Sequence, residues 1–323
     1  MGRSGLTATT LGALALSIAT AFAAEDTHWG YEGAQGPEHW AALGEAYQAC
    51  GAGTQQSPVD IAGTIEAELP EISLAWKPGA GSIVNNGHTI QVNVPGGSQL
   101  RRGDASYELL QVHFHAPSEH LVAGKAFPME AHFVHRDAAS GELGVLGVFL
   151  VPGGENAAFS ELAAAFPQKP GEEATIEAFD PKALVPAELD YWTYAGSLTT
   201  PPCSETVTWM LAAEPVAVAA GDIARFSDLY PANARPAQPS NRRFILGPAV
   251  PATPQIVDVV LTDAGGRRFD LIREVRSLTG HSVRKSTALI DAAPRLLKGE
   301  LPRDEAEAIK ARLEGFGATV ELK

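Results

Sequence analysis

Cysteine is almost missing from this chain of 323 residues, which has only Cys50 and Cys203. At most one intramolecular pairing can form, and neither cysteine is spaced to complete a structural zinc site with nearby histidines. Long apolar runs are missing too, apart from one at the N-terminus, so no later segment is expected to span a bilayer. Basic residues are scarce: 24 Lys and Arg stand against 38 Asp and Glu, a net charge of −14. That balance excludes nucleic acid and anionic membranes as expected partners. Internal repeats are absent. Helical periodicity is thin before residue 250, where glycine and proline cut the chain into short apolar runs.

The N-terminal exception is short. Arg3 gives a positive start, Leu11 to Ala21 an apolar core, and Ala21-Phe22-Ala23 a small-x-small cleavage pattern. Residues 1–23 therefore read as a secretory signal peptide, too short and wrongly flanked to be a spanning helix. The mature chain is expected to begin near Ala24 and to be soluble in the periplasm or outside the cell. In that oxidising space the two cysteines either pair or remain free thiols, and export favours pairing.

Residues 24–247 read as one β-rich domain, with strands expected around 81–85, 89–94 and 144–151 and short helices around 38–47 and 157–166. The prolines of 248–255 make a stiff linker. From residue 256 the texture changes to a strand, three helical stretches and a closing strand, a separate small α/β domain of pattern βαααβ. Its 12 Lys and Arg nearly balance 11 Asp and Glu, so the acidity belongs to the larger domain.

Histidine is the residue the sequence concentrates. Six of its nine histidines fall between His88 and His135. In Leu110-Gln-Val-His-Phe-His-Ala116, His113 and His115 share one face of a strand, while Val112 and Phe114 share the other. His132 lies in a second run of the same type, Met129-Glu-Ala-His-Phe-Val-His135. If the two runs sit close in one sheet, three imidazoles meet near one point. Three nitrogen ligands plus an open fourth position form the donor set of a catalytic Zn²⁺. Gln111 and Glu130 lie two residues from proposed ligands on the same faces, where the hydrogen-bond partners of metal-bound imidazoles belong.

With those residues goes a wider set: His28-Trp-Gly-Tyr31, Gln56-Ser-Pro-Val-Asp-Ile61, Asn85-Asn-Gly-His88, Ser118-Glu-His120, Tyr191-Trp-Thr-Tyr194, Gly196-Ser-Leu-Thr-Thr-Pro-Pro202 and Asn233-Ala-Arg-Pro-Ala-Gln-Pro239. Through them residues 28–246 resemble the α-class carbonic anhydrases. The resemblance implies a mainly β fold around a twisted, mostly antiparallel sheet with short helices. It implies reversible hydration of CO₂ to bicarbonate by zinc-bound hydroxide, with His113, His115 and His132 as ligands. Thr199 and Glu119 are implied to orient the hydroxide, and His88 to shuttle protons. Tyr31, Asn86 and Gln91 match a wall that orders water, with glutamine at 91 where the best-known members carry asparagine. Val134, Val145, Leu198, Thr200, Val207 and Trp209 match the substrate pocket. Cys50 and Cys203 match the disulfide of secreted bacterial members.

Residues 256–323 resemble the C-terminal domain of the ribosomal stalk protein L7/L12, through Phe269-Asp-Leu-Ile-Arg-Glu-Val-Arg276, Thr279-Gly280, Asp291-Ala-Ala-Pro294, Asp304-Glu-Ala-Glu-Ala308 and Gly317-Ala-Thr-Val-Glu-Leu322. The fold is carried over, but the function is not, because an exported protein meets no translation factors. Arg268, Arg273, Arg276, Arg284 and Lys285 keep basic charge there, so the expectation is a protein-interaction module of unknown partner. Two rivals to CO₂ hydration are a catalytically silent binding module and a weak esterase. Retention of all three histidines, Thr199 and Glu119 favours the enzyme, and the narrow apolar wall favours CO₂.

Overall fold

Burial alternates along the strand Ala105–His115, and the alternation changes phase part-way. Tyr107 and Leu109 are buried in the core at its start, Val112 and Phe114 at its end. The phase change is a β-bulge: Val134 of the neighbouring strand pairs with Gln111, and His135 pairs with Leu109, so Leu110 is passed over. One extra residue reverses the faces of everything beyond it. His113 and His115 therefore leave the core side while the start of the same strand still packs into it.

The computed structural model describes residues 28–137, 139–249 and 256–323. The proposed signal peptide and most of the proposed linker lie outside those residues. The larger domain is built on one sheet of thirteen strands. Its eight principal strands are β1 (Gly79–Asn85), β2 (Ile90–Asn93), β3 (Ala105–His115), β4 (Met129–Asp137), β5 (Leu143–Pro152), β6 (Glu173–Phe179), β7 (Tyr191–Gly196) and β8 (Val207–Ala212). Their order across the sheet is β6-β1-β2-β3-β4-β5-β8-β7. All of these neighbours are antiparallel except β5 and β8, which run parallel.

The main core lies on one face of this sheet. Ile90, Val92, Val112, Phe114, Ala131, Phe133, Leu146 and Val148 meet there with helices α1 (Ala157–Ala164) and α2 (Ala220–Leu229). Asn156 caps α1, its side chain accepting the Phe159 N–H at 3.1 Å. The helix expected over 38–47 is instead a short helix at Trp40–Leu43 and a 3₁₀ turn at Glu45–Tyr47. Gly44, extended between them, separates the two short turns. Helix α2 was not anticipated.

The smaller domain departs from its expected order. It comprises β9 (Ile256–Asp263), α3 (Arg268–Thr279), α4 (Val283–Asp291), β10 (Arg295–Pro302), α5 (Arg303–Glu314) and β11 (Thr319–Leu322). The pattern is thus βααβαβ, with a sheet ordered β10-β9-β11. Strand β10 was missed because Arg-Leu-Leu-Lys-Gly-Glu-Leu-Pro has neither β-branched residues nor a clean alternation. Pairing with Val257 to Leu261 of β9 makes it a strand all the same. Val259, Leu261, Leu271, Val275, Ile290, Leu313 and Val320 form a core of this domain's own.

Candidate active site

Strand register lines up the polar residues on the other face of the sheet. Gln91 of β2 opposes His113 of β3, His113 opposes His132 of β4, and His132 opposes Gly147 of β5. One row away, His115 opposes Glu130, and one row to the other side Gln111 opposes Val134. The three histidine rings consequently pack together, with centroids 4.6 to 5.1 Å apart. Gly147 keeps the row open. A Cβ there would lie 2.5 Å from Leu211 and 3.0 Å from Glu130 Oε1.

Each imidazole uses one nitrogen to hold itself in place. His113 Nδ1 bonds Gln111 Oε1 at 2.9 Å, His115 Nδ1 bonds the Asn233 carbonyl at 2.7 Å, and His132 Nε2 bonds Glu130 Oε1 at 2.8 Å. All three partners are oxygen acceptors, so in each neutral ring the bonding nitrogen carries the proton and the other offers a lone pair. The free atoms are His113 Nε2, His115 Nε2 and His132 Nδ1. One donor atom from each ring lies within 4.8 Å of the others. His115 Nε2 is buried and has no hydrogen-bond partner, an expense that a bound cation removes. Burial and the neighbouring rings hold His113 well below the usual imidazole range, and burial lowers His115 despite Glu119. Both are therefore neutral and able to ligate near pH 7. The donor set fits Zn²⁺, which takes three imidazoles and an open position.

A second group, His120, Glu130 and His132, also brings donor atoms together. Its atoms are already used: Glu130 Oε1 accepts from His120 Nδ1 and His132 Nε2, both at 2.8 Å. Burial alone would raise the Glu130 carboxyl, but the two histidines hold it well below the ordinary value. The same carboxylate raises His132 against the effect of burial. Beyond it, His120 Nε2 sits 2.6 Å from the Tyr194 hydroxyl. This group is a support, not a second metal site.

A cavity of about 120 Å³ opens over the histidines, lined by His113, His115, Gln111, Gln91, Asn86, Tyr31, Thr200, His88, Trp29 and Thr89. His88 stands half-exposed at its mouth, stacked on Trp29 at 3.7 Å. Burial and then His28 lower its pKa, so it is mostly neutral at pH 7 and free to accept a proton. Burial and Glu119 raise the Tyr31 phenol well above its ordinary value, which keeps it protonated. Val134, Val145, Val207 and Trp209 form one buried apolar cluster with Leu198 packed against it. The Trp209 ring reaches His132, centroids 4.9 Å apart.

The loop carrying Thr199 is fixed from both sides. Leu198 N–H bonds the Ser204 carbonyl at 3.1 Å, and Cys203 N–H bonds the Thr200 carbonyl at 2.9 Å. Cys203 is joined to Cys50 by a disulfide. Glu119 Oε1 accepts the Arg235 N–H at 2.9 Å, and its other oxygen, Oε2, is buried without a hydrogen-bond partner.

Four supporting residues were missed as such in the sequence: His120, Tyr194, Asn233 and Arg235. Asn233 holds His115 through its carbonyl and the His88 carbonyl through Nδ2, at 3.1 Å. The Arg235 guanidinium, 2% exposed, bonds the Cys50 carbonyl, the Ser57 carbonyl and Gln56 Oε1 at 2.8 to 2.9 Å. His120, Asn233 and Arg235 stand in irregular segments next to prolines, and Tyr194 in a strand that reads as plain core.

The family model of eukaryotic-type carbonic anhydrase matches residues 35–247. The chain belongs to that family. A carbonic anhydrase of Nostoc is 41% identical over 230 residues, which is 69% of this chain and 87% of the relative. Human carbonic anhydrase 7 is 37% identical over 62% of this chain and 85% of its own. Among solved structures, the α-carbonic anhydrase of Thermovibrio ammonificans, in complex with the inhibitor sulfanilamide, superposes with a TM-score of 0.66. It is 43% identical, covering 68% of this chain and 99% of that one. The protein is thus an enzyme of the carbonic anhydrase class, acting on a small molecule. Residues 257–323 match a different model, that of the ribosomal protein L7/L12 C-terminal domain. Among the described residues no helix is long and apolar enough to cross a membrane.

Proposed function

We propose that the enzyme reversibly hydrates CO₂ to bicarbonate and a proton at a Zn²⁺ held by His113, His115 and His132. The observation that carries this reading is the set of three nitrogens left free by Gln111, Asn233 and Glu130, one of them buried without a partner. Bound zinc would supply Lewis acidity, which makes a water nucleophilic near neutral pH, as it does in this family.

The chain's own side chains do the rest. Val134, Val145, Leu198, Val207 and Trp209 form an apolar wall that receives CO₂ and keeps bulk water from it. The Thr199 hydroxyl would donate a hydrogen bond to the Glu119 carboxylate, leaving its oxygen to accept a hydrogen bond from the nucleophile and so orient it toward the substrate. Thr200 lies beside the substrate in the same loop. Tyr31, Asn86 and Gln91 hold water between the metal centre and His88, which takes the proton and releases it to buffer. Export to the periplasm or beyond accords with the leader-like residues 1–23 and with the disulfide. The small domain we assign as a separately folded protein-interaction module.

The test is to strip the protein with a chelator and reload it. CO₂ hydration should vanish with the metal and return in proportion to zinc, saturating at one ion per chain. Hydration that persists in the stripped protein would overturn the reading.

A further inference from the structure

The polar wall of the cavity is organised from outside it. Asn86 Oδ1 accepts the backbone N–H groups of both His88 and Thr89, each at 2.9 Å. Those donors occupy its carbonyl oxygen and leave Nδ2 to donate to Gln91 Oε1 at 3.4 Å. Gln91 Nε2 donates in turn to Asn93 Oδ1 at 2.6 Å, and Asn93 Nδ2 donates to Ser82 Oγ at 3.1 Å. Each amide in the chain donates away from His88. The direction is fixed at its start, because a backbone N–H can only donate.

Strand geometry explains why these groups meet. Gln91 and Asn93 share one face of β2, while Ile90 and Val92 are buried on the other. Asn93 opposes Ser82 of β1 on one side and Gln111 of β3 on the other. Asn93 does not line the cavity, whereas Gln91 does. Gln91 is held at both ends, so one N–H and one lone pair remain to face cavity water in a single orientation.

We propose that Asn93 is a positioning residue for proton export: its Oδ1 fixes the Gln91 amide in the one orientation that keeps water ordered between His88 and the metal centre. The inference rests on His88 being the proton outlet, as proposed above. Without the Asn93 acceptor only the long 3.4 Å bond from Asn86 Nδ2 holds the Gln91 amide, and its Nε2 end swings out of line with the cavity water. Attack on CO₂ does not pass through this wall. The expected signature is a fall in kcat in weak buffer with kcat/KM unchanged.

The test compares Asn93→Leu, Asn93→Asp, Gln91→Ala and the double variant Gln91→Ala/Asn93→Leu in zinc-loaded enzyme, with His88→Ala as reference. Asn93→Leu should lower kcat about threefold in weak buffer, a change on the scale of one hydrogen bond. Asn93→Asp, which keeps the acceptor, should retain the rate, and imidazole should restore Asn93→Leu. In the Gln91→Ala background, Asn93→Leu should add nothing. If His88→Ala is itself unimpaired in weak buffer, the outlet is wrong and this inference falls with it. If His88→Ala is impaired but Asn93→Leu is not, the outlet stands and Asn93 alone is overturned. An equal loss in kcat and kcat/KM, a loss in Asn93→Asp matching that in Asn93→Leu, or a further loss beyond Gln91→Ala also overturns it.

Discussion

Glu130 Oε1 accepts a hydrogen bond from His132 Nε2 at 2.8 Å, and the same oxygen accepts one from His120 Nδ1 at 2.8 Å. One carboxylate oxygen therefore orients an imidazole of the three-histidine cluster and is itself held by a second, buried imidazole. Glu119 and His120 also donate their backbone N–H groups to Glu130 Oε2, both at 2.9 Å. The carboxylate is fully committed, with four donors around two oxygens.

Glu130→Gln tests that arrangement with almost no change of shape. The amide removes the negative charge that raises His132 and turns one oxygen into a donor facing donors. Zinc affinity should fall by about 10- to 100-fold, the usual loss when a partner of a ligating histidine is changed. Equilibrium competition against a chelator measures it directly. Unchanged affinity would mean that Glu130 plays no part in holding the metal.

His88→Ala should slow turnover in weak buffer, and added imidazole should largely restore it, because a soluble base of similar pKa replaces the missing one. The lowered pKa of His88 means that it is already neutral at pH 7 and ready to accept. Initial rates across a buffer-concentration series separate this from damage to the metal centre. A variant as fast as wild type in the weakest buffer would remove His88 from the proton path.

Much of this site was legible in the sequence, for a physical reason. Strand alternation is a local rule, so His113, His115 and His132, with Gln111 and Glu130 two residues away, could be placed on shared faces without coordinates. The bulge at Leu110 shows the limit of that rule. Strict alternation carried back from His113 would have put Leu109 on the wrong face, and only the register against His135 corrects it. His120, Asn233 and Arg235 were opaque because they act across irregular backbone, more than a hundred residues from their partners in the case of Asn233 and His115. Strand β10 was opaque because its pairing with β9, not its composition, makes it a strand.

His135 gives a pH prediction. It faces the core beside Trp76, ring centroids 5.5 Å apart, and burial lowers its pKa from 6.5 to about 4. The unfolded chain therefore binds this proton at higher pH than the folded one does. Stability from this group is complete above about pH 6.5 and is lost as pH falls toward 4. The loss amounts to about 3 kcal/mol at the acid end, since one pKa unit is worth about 1.4 kcal/mol. Urea unfolding of zinc-loaded protein from pH 7 to 4 should show a steeper decline for wild type than for His135→Phe. Parallel curves would mean that His135 is not the depressed group.

The Cys50–Cys203 bridge closes a sequence separation of 153 residues and anchors the loop of Thr199. In the chain-entropy model such a closure contributes about 5 kcal/mol. Reduction should therefore lower the midpoint of thermal unfolding well before it affects zinc content, because none of the hydrogen bonds that hold His113, His115 and His132 comes from the bridge. A reduced protein that melted with the oxidised one would show that the bridge adds nothing to this fold.

The small domain gives the last prediction. Its core draws only on residues from Val259 onward, and no residue of it lines the cavity over the histidines. The polar groups that hold the three imidazoles, Gln111, Asn233 and Glu130, all belong to the larger domain. Removing residues 255–323 should therefore leave zinc content at one ion per chain and hydration per zinc within a few-fold of the full chain. Truncation should instead alter association, because Arg273, Arg276, Arg284 and Lys285 place exposed positive charge on a domain carried by an acidic one. Parallel measurement of zinc, hydration rate and sedimentation for the two forms resolves these effects. Lost hydration with zinc still bound would mean that the domains are catalytically coupled and that the boundary near residue 255 is misplaced.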